Sequence, residues 1–449
     1  MAAKNKTYSF HCVLILFALS WPMIFTFIKY QNRDKADGVV DISYNKPNLI
    51  GLVISDEKPK FSLQNWFNNS YQAETEDYNN DHWSFKEKMV RLNNQFYYEA
   101  FNQIRVNGFV IGKDDYVFSE SYIFSAFGDD LINEEKVKIL LQKAKVVQDT
   151  LKKKGIDLLF VYAPGKGEYC KEFVEDKYVH PVKNTNYNLF ISNSKTAGLN
   201  YLDLYSYFNQ LKTTTKYPLF PKFGHHWSYY GECLAVDTII KHIEKLHNCD
   251  LPNITWNKIE VVDTARSRDA DVLKSMNLYS NPKQNMNLAY PEVLFENDSL
   301  KNTKRVLTIS DSYWYGPVYL GVPANVFAGG QFWYYYNKVI PSPSGEKVEV
   351  WELDLKKEIE SNQVIMLLYS DGNLPMFGNN FIYDAYEMYT SPQTYYPRYE
   401  KNKQIQYYAK EIRNTPLFLK KSTLKSNEQK ISLDSAIRFD AMKMAGLIK

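Results

Sequence analysis

Cysteine is scarce in this sequence, with four in 449 residues. Cys12 lies in an apolar run, and Cys170, Cys233 and Cys249 lack metal-type spacing. A disulfide-stapled secreted module is thereby excluded, leaving room for one disulfide and at least one thiol over. The seven histidines form no zinc-like set, so neither a metal nor a cofactor is expected. Charge of one sign is also lacking: the net charge is +3 and no basic stripe occurs, which argues against a nucleic-acid partner. There is no internal repeat and no low-complexity tract. What is abundant is aromatic: 36 Tyr and 8 Trp, within a 45% hydrophobic composition that marks a globular chain. Tyrosine fills strands and half-buried surfaces, and composition alone favours that reading. The sharper alternative is a surface on which pyranose rings stack.

One apolar run, residues 10–28, is about the length that crosses a bilayer. No small-residue cleavage site follows it; Lys29 and Arg33 do. It reads as an uncleaved signal anchor with a short cytoplasmic stub, spanning residues 1–30. The polar bulk of the chain is then expected outside the cytoplasmic membrane. Residues 31–105 read as a linker and helical lead-in, with helices over 61–101. Val110 to Phe118 suggest a hairpin with Lys113, Asp114 and Asp115 in its turn.

Asn133 is a good helix start, followed by Val137, Leu141, Ala144, Val147 and Leu151 at helical spacing. Residues 158–161 make a continuous apolar run of the kind buried on both sheet faces, 306–309 and 364–368 supply further buried strands, and 201–204 suggest another strand. Ser228 is expected to cap a helix through Leu246. This alternation gives an α/β sandwich with a mainly parallel sheet over residues 106–400. Residues 401–449 form a helical C-terminal extension, with starts at Pro416 and Ser432.

Chemistry in an open parallel sheet collects at the carboxyl ends of its strands. Ser310, Asp311 and Ser312 follow one such strand, and His225 and His226 precede the helix that Ser228 caps. Ser312 is the candidate nucleophile and His226 its base, with the Ser312 backbone N–H as an oxyanion donor. Asp311 and His225 are candidates for support, although the Asp311 side chain is expected to point away from its neighbour's hydroxyl. Trp227, Tyr313, Trp314 and Trp333 are candidates for a sugar platform, about half of the aromatic run at 332–336 being expected in the core.

These features, in this order, resemble the SGNH-hydrolase-like acetyltransferases of the AlgX and AlgJ type. Five segments carry the resemblance: Asn80 to Lys86, the Val110–Phe118 hairpin, Ala163-Pro164-Gly165-Lys166, His226-Trp227, and Ser310-Asp311-Ser312 in place of Gly-Asp-Ser. It implies a three-layer SGNH sandwich, circularly permuted so that the histidine precedes the serine. It also implies O-acetylation of a cell-surface polysaccharide through acetyl-Ser312, the acetyl group coming from a multi-pass membrane acyltransferase. The family's triad acid stands two residues before the histidine, where this chain has Gly224. Two other readings use the same residues: an esterase that removes acetyl groups, and a non-catalytic glycan-binding scaffold of an export complex.

Overall fold

The computed structural model describes residues 49–51, 58–82, 85–296, 301, 304–340 and 347–448. The anchor expected at 10–28, Trp83 and Ser84 of the Asn80–Lys86 motif, and most of the expected linker lie outside these residues. Among the described residues no helix is long and apolar enough to cross a membrane.

The chain divides into two compact units. The first comprises residues 1–111 with 270–283. The helical lead-in expected over 61–101 is present there as helices Leu63–Phe67, Ser70–His82 and Lys86–Phe101. Ser62 caps the first of them by accepting from Asn65 N–H. Asn94 Nδ2 donates to the Met276 carbonyl (2.9 Å) and Ile50 N–H to Asn277 Oδ1 (2.9 Å). The excursion at 270–283 is thus fastened to the lead-in by polar contacts.

The second unit, 112–269 with 284–449, holds the main sheet. Its strands are β3 (Asp157–Ala163), β4 (Tyr201–Asp203), β7 (Val306–Ser310), β8 (Phe332–Tyr334), β9 (Lys338–Ile340) and β10 (Val364–Ser370); β1 (Phe109–Ile111) and β2 (Val117–Ser119) flank the expected hairpin turn. That turn is closed by Gly112 N–H donating to the Tyr116 carbonyl (2.7 Å). The sheet order is β4-β3-β10-β7-β8-β9, parallel throughout except for the antiparallel edge strand β9. The sheet is mixed and mainly parallel, as the apolar runs imply.

Every residue of β3, β7 and β10 is buried. Alternate side chains (Leu158, Phe160, Leu307, Ile309, Ile365, Leu367) join one core with Val137, Leu141, Ala144 and Val147 of helix Glu134–Lys152. Their neighbours, such as Leu159, Val161, Met366 and Leu368, are buried on the opposite face. Both faces are therefore covered, and this is why the strands read as near-continuous apolar runs instead of alternating ones. Asn133 caps its helix as expected, accepting from Glu135 and Lys136 N–H.

Two features depart from the sequence reading. Residues 254–262 and 288–295 pair as a separate antiparallel ribbon, β5 (Ile254–Val262) with β6 (Leu288–Phe295), inserted between the histidine loop and the serine strand. Cys170, Cys233 and Cys249 are all free thiols, so they form no disulfide. Burial raises the Cys170 and Cys233 thiols to about 12, which keeps them protonated and inert. The C-terminal region is helical from Pro392: helices Pro392–Asn414, Pro416–Gln429 and Leu433–Met444 share a small core of Ile405, Ala409, Ile412, Ile437 and Ala441.

Candidate active site

β7 ends at Ser310 and the chain turns at once into a short 3-10 helix that begins at Ser312. Asp311 makes this turn by accepting from Tyr313 N–H (2.9 Å) through Oδ1. Its Oδ2 accepts from Ser370 N–H (2.9 Å), Ser370 Oγ (2.6 Å) and Asn373 Nδ2 (2.8 Å). The carboxylate thus clamps the carboxyl end of β7 to that of its neighbour β10. Tyr122 Oη extends the clamp, 2.5 Å from Ser370 Oγ. The side chain of Asp311 is fully engaged in holding the turn that presents Ser312.

The histidine loop reaches the same rim from the other side. Ser228 caps helix Tyr229–His247 by accepting from Gly231 N–H (3.0 Å), while its own hydroxyl donates to the Pro218 carbonyl (2.7 Å). Lys166, buried just beyond β3, donates to the carbonyls of Lys222 (2.6 Å) and Gly224 (2.9 Å). Its ammonium also lies 5.4 Å from the ring centroids of both Tyr116 and Phe118. A buried cation thereby fixes the loop carrying the histidines.

These two constructions bring His226 Nε2 to 2.8 Å from Ser312 Oγ, across 86 residues of sequence. Both side chains are half-buried, as a reacting pair that must meet substrate requires. The His226 ring is packed edge-on against Tyr313 (5.1 Å) and His225 (4.8 Å), and His225 in turn against Tyr122 (4.6 Å). Aromatic edges thus restrict the imidazole to the orientation that faces Ser312.

Position 224 is closed as well as glycine. A Cβ there would stand 2.5 Å from Pro221 Cγ and 2.8 Å from the Asp269 carbonyl oxygen, inside contact distance. Asp269 is itself committed elsewhere, its Oδ1 accepting from Tyr229 N–H (3.0 Å) at the start of the helix that follows the histidines. Beyond Ser312, Gly316 faces the buried carboxylate of Glu232, which is ion-paired with Arg268; a side chain at 316 would overlap both. These residues line a cavity of about 210 Å³ with Tyr229, Asp269 and Tyr319.

The aromatic expectations need correction. Trp227, Tyr313, Trp314 and Trp333 are all buried and offer no ring face to a sugar. Trp333 lies within β8, and Tyr313 and Trp314 lie in the 3-10 turn that follows β7, so the large apolar rings fill space beneath the rim. Trp227 packs on Phe208 (5.9 Å) and Tyr313 (4.8 Å) beneath the histidine. Sequence reasoning also passed over Ser370, Asn373 and Tyr122. A signal was present: β10 ends in Ser370-Asp371, as β7 ends in Ser310-Asp311, each a buried strand running into a polar turn. A further omission is the turn after β8, where Tyr335 and Tyr336 both have positive φ (49° and 54°) and Tyr335 N–H donates to the Ser310 carbonyl (2.8 Å). Bulky residues rarely adopt this conformation, so the turn stores strain directly beside the serine strand.

Residues 109–293 match the sequence model of the SGNH hydrolase-like domain, acetyltransferase AlgX. The chain resembles the AlgX-type SGNH hydrolase-like acetyltransferases. The match includes His226 and ends before Ser312, so the serine's place beside that histidine rests on the geometry above. Among curated proteins, the "Probable alginate O-acetylase AlgJ" of Pseudomonas aeruginosa is 24% identical over 181 residues, covering 40% of this chain and 44% of that relative. The chain therefore spans less than half the length of this AlgJ protein. Among solved structures, the O-acetyltransferase domain of Pseudomonas putida AlgJ aligns with a TM-score of 0.42 at 18% identity, over 62% of this chain and 99% of its own. Bacillus cereus PatB1 aligns with a TM-score of 0.37 at 13% identity, over 59% and 96%.

Proposed function

We propose that this protein is an O-acetyltransferase that modifies a cell-surface polysaccharide outside the cytoplasmic membrane through an acetyl-Ser312 intermediate. The observation that carries the reading is the 2.8 Å approach of His226 Nε2 to Ser312 Oγ at the carboxyl rim of a mainly parallel sheet. The AlgX-type match supports the reaction class, and the chain order, histidine before serine, suits a circularly permuted SGNH arrangement.

In the first step His226 takes the Ser312 proton as Oγ attacks the carbonyl of an acetyl ester, and the donor alcohol leaves with that proton. The Ser312 backbone N–H, at the start of its 3-10 turn, faces the developing oxyanion. In the second step a sugar hydroxyl gives its proton to His226 and attacks the acetyl-serine, releasing Ser312 and the acetylated glycan. The donor is an acetyl group delivered across the membrane by a multi-pass acyltransferase, and the apolar run at 10–28 keeps the protein beside it. Gly224 supplies no carboxylate to the imidazole, and loss of a triad acid lowers turnover by about 10⁴ while leaving residual catalysis. A slow enzyme with a detectable intermediate is the consequence.

The test is the intact mass of the full-length protein after incubation with an activated acetyl ester. One added acetyl group, mapped to Ser312 and absent from Ser312→Ala, is expected. Addition of an oligosaccharide should discharge it onto sugar faster than water discharges it as acetate. An unmodified wild-type protein, or equal labelling of Ser312→Ala, would overturn the reading.

A further inference from the structure

Charge is distributed unevenly along this near-neutral chain. Residues 401–449 contain eleven Lys/Arg and four Asp/Glu, a net +7, so the preceding 400 residues carry −4 of the chain's total of +3. The excess sits on the helical extension, where helix Pro416–Gln429 exposes two of its three leucines. Its buried residues are Ser422 and Ser426. Ser422 Oγ is satisfied by Asp440 Oδ2 (2.7 Å) and Ser426 Oγ by the Ile431 carbonyl (2.7 Å). Its outward stripe carries Leu417, 61% exposed, and Leu424, 52% exposed, seven residues apart and hence on one helical face. Lys420 and Lys421 lie between them on that face, both exposed.

A helix folded only for packing buries its leucines and exposes its serines. Leu419 packs inward against the extension's core, but Leu417 and Leu424 do not, and the neighbouring helix Leu433–Met444 adds the exposed side chains of Phe439 and Met444. The cleft between the two helices, about 390 Å³, is lined by Ile412, Phe418 and Met444 together with Lys421, Lys443 and the ion pair of Lys425 with Asp440. With Lys425 held by Asp440, Lys421 and Lys443 stand above the apolar stems, an arrangement that complements an amphiphile whose head is anionic and whose body is hydrocarbon. Leucine offers no flat face on which a pyranose could stack, which distinguishes this surface from a glycan platform.

We propose that the face formed by helices Pro416–Gln429 and Leu433–Met444 docks on an anionic phospholipid surface. Leu417 and Leu424 enter the acyl boundary, and Lys420 and Lys421 meet the headgroup phosphates. This gives the protein a membrane contact at its C-terminal end, separate from the apolar run at 10–28, and it does not depend on the acetylation chemistry.

The test is hydrogen–deuterium exchange of the full-length protein on phosphatidylcholine nanodiscs with and without phosphatidylglycerol. Amides of Pro416–Gln429 are expected to exchange about tenfold more slowly when the anionic lipid is present. Lys420→Gln/Lys421→Gln and Leu417→Ser/Leu424→Ser should each abolish that difference. Unchanged exchange of the Ile405 and Ile412 amides in the same variants reports that the helical bundle still folds. Equal exchange on both lipids overturns the proposal. So does protection that persists in Leu417→Ser/Leu424→Ser, or that a soluble polyuronate confers equally well.

Discussion

The carboxylate of Asp311 accepts from both the backbone N–H and the hydroxyl of Ser370, at 2.9 and 2.6 Å, joining the ends of two strands through residues 59 apart in sequence. The acid adjacent to the candidate nucleophile is thereby a clamp for the rim and not a partner for the histidine. Rim geometry and chemistry are coupled, because the same turn that Asp311 caps sets the position of Ser312 Oγ.

Asp311→Ala leaves Ser370 N–H and Oγ, Asn373 Nδ2 and Tyr313 N–H without their acceptor. A loss of about 3 kcal/mol or more in unfolding free energy is expected. The acetyl-labelling rate of Ser312 should fall with it, since a nucleophile displaced by about 1 Å loses its attack geometry. Denaturant unfolding at near-native stability would show that the clamp is dispensable.

Gly224→Asp, which restores the acid that the family resemblance implies, is expected to impair the protein. The new Cβ meets Pro221 Cγ and the Asp269 carbonyl oxygen. Overpacking of this kind costs about 1–3 kcal/mol, and the loop that Lys166 holds would have to move. Thermal melting and labelling rate measured together decide the matter: a variant as stable as wild type and faster would show that the position accommodates a carboxylate.

Glu232 is wholly buried while its partner Arg268 retains partial access to solvent. Removing the arginine strands the wholly buried carboxylate, so Arg268→Ala should cost about 3 kcal/mol. Because the pair lies against Gly316, four residues beyond Ser312, labelling should slow as well. Adding Glu232→Ala should recover part of the stability, and a double-mutant cycle with no coupling energy would contradict an energetic link.

Burial raises the Asp371 carboxyl, next to Ser370 at the end of β10, from 3.8 to about 8. The folded state then holds a proton that the unfolded chain has already released. The stabilising contribution is complete below the unfolded value and declines as pH rises, disappearing above about 8. Asp371→Asn keeps an oxygen to accept from Gly372 N–H (2.6 Å) and removes the titration. Wild type should therefore lose melting temperature relative to Asp371→Asn between about pH 4 and about pH 8. Parallel pH profiles for the two proteins would refute this assignment.

The sequence by itself determined the central strands of the sheet and the outline of its site. Residues 158–161 and 364–368 are apolar without interruption and 306–309 are apolar apart from Thr308, a pattern expected of strands covered on both faces, and the structure places them in β3, β10 and β7. Caps at Asn133, Ser228 and Ser432 were legible because capping is a local hydrogen bond within three residues. Ser312 and His226 could be assigned to one rim from strand and loop order alone. Tertiary structure decided the rest: the commitment of Asp311 to Ser370, the grip of Lys166 on the histidine loop, the closure of position 224 by Pro221 and Asp269, and the burial of Trp227, Tyr313, Trp314 and Trp333. Each depends on which distant segment fills a particular few ångströms of space. Residue order constrains local backbone conformation strongly, but side-chain partners 50 residues away are fixed only when the layers pack.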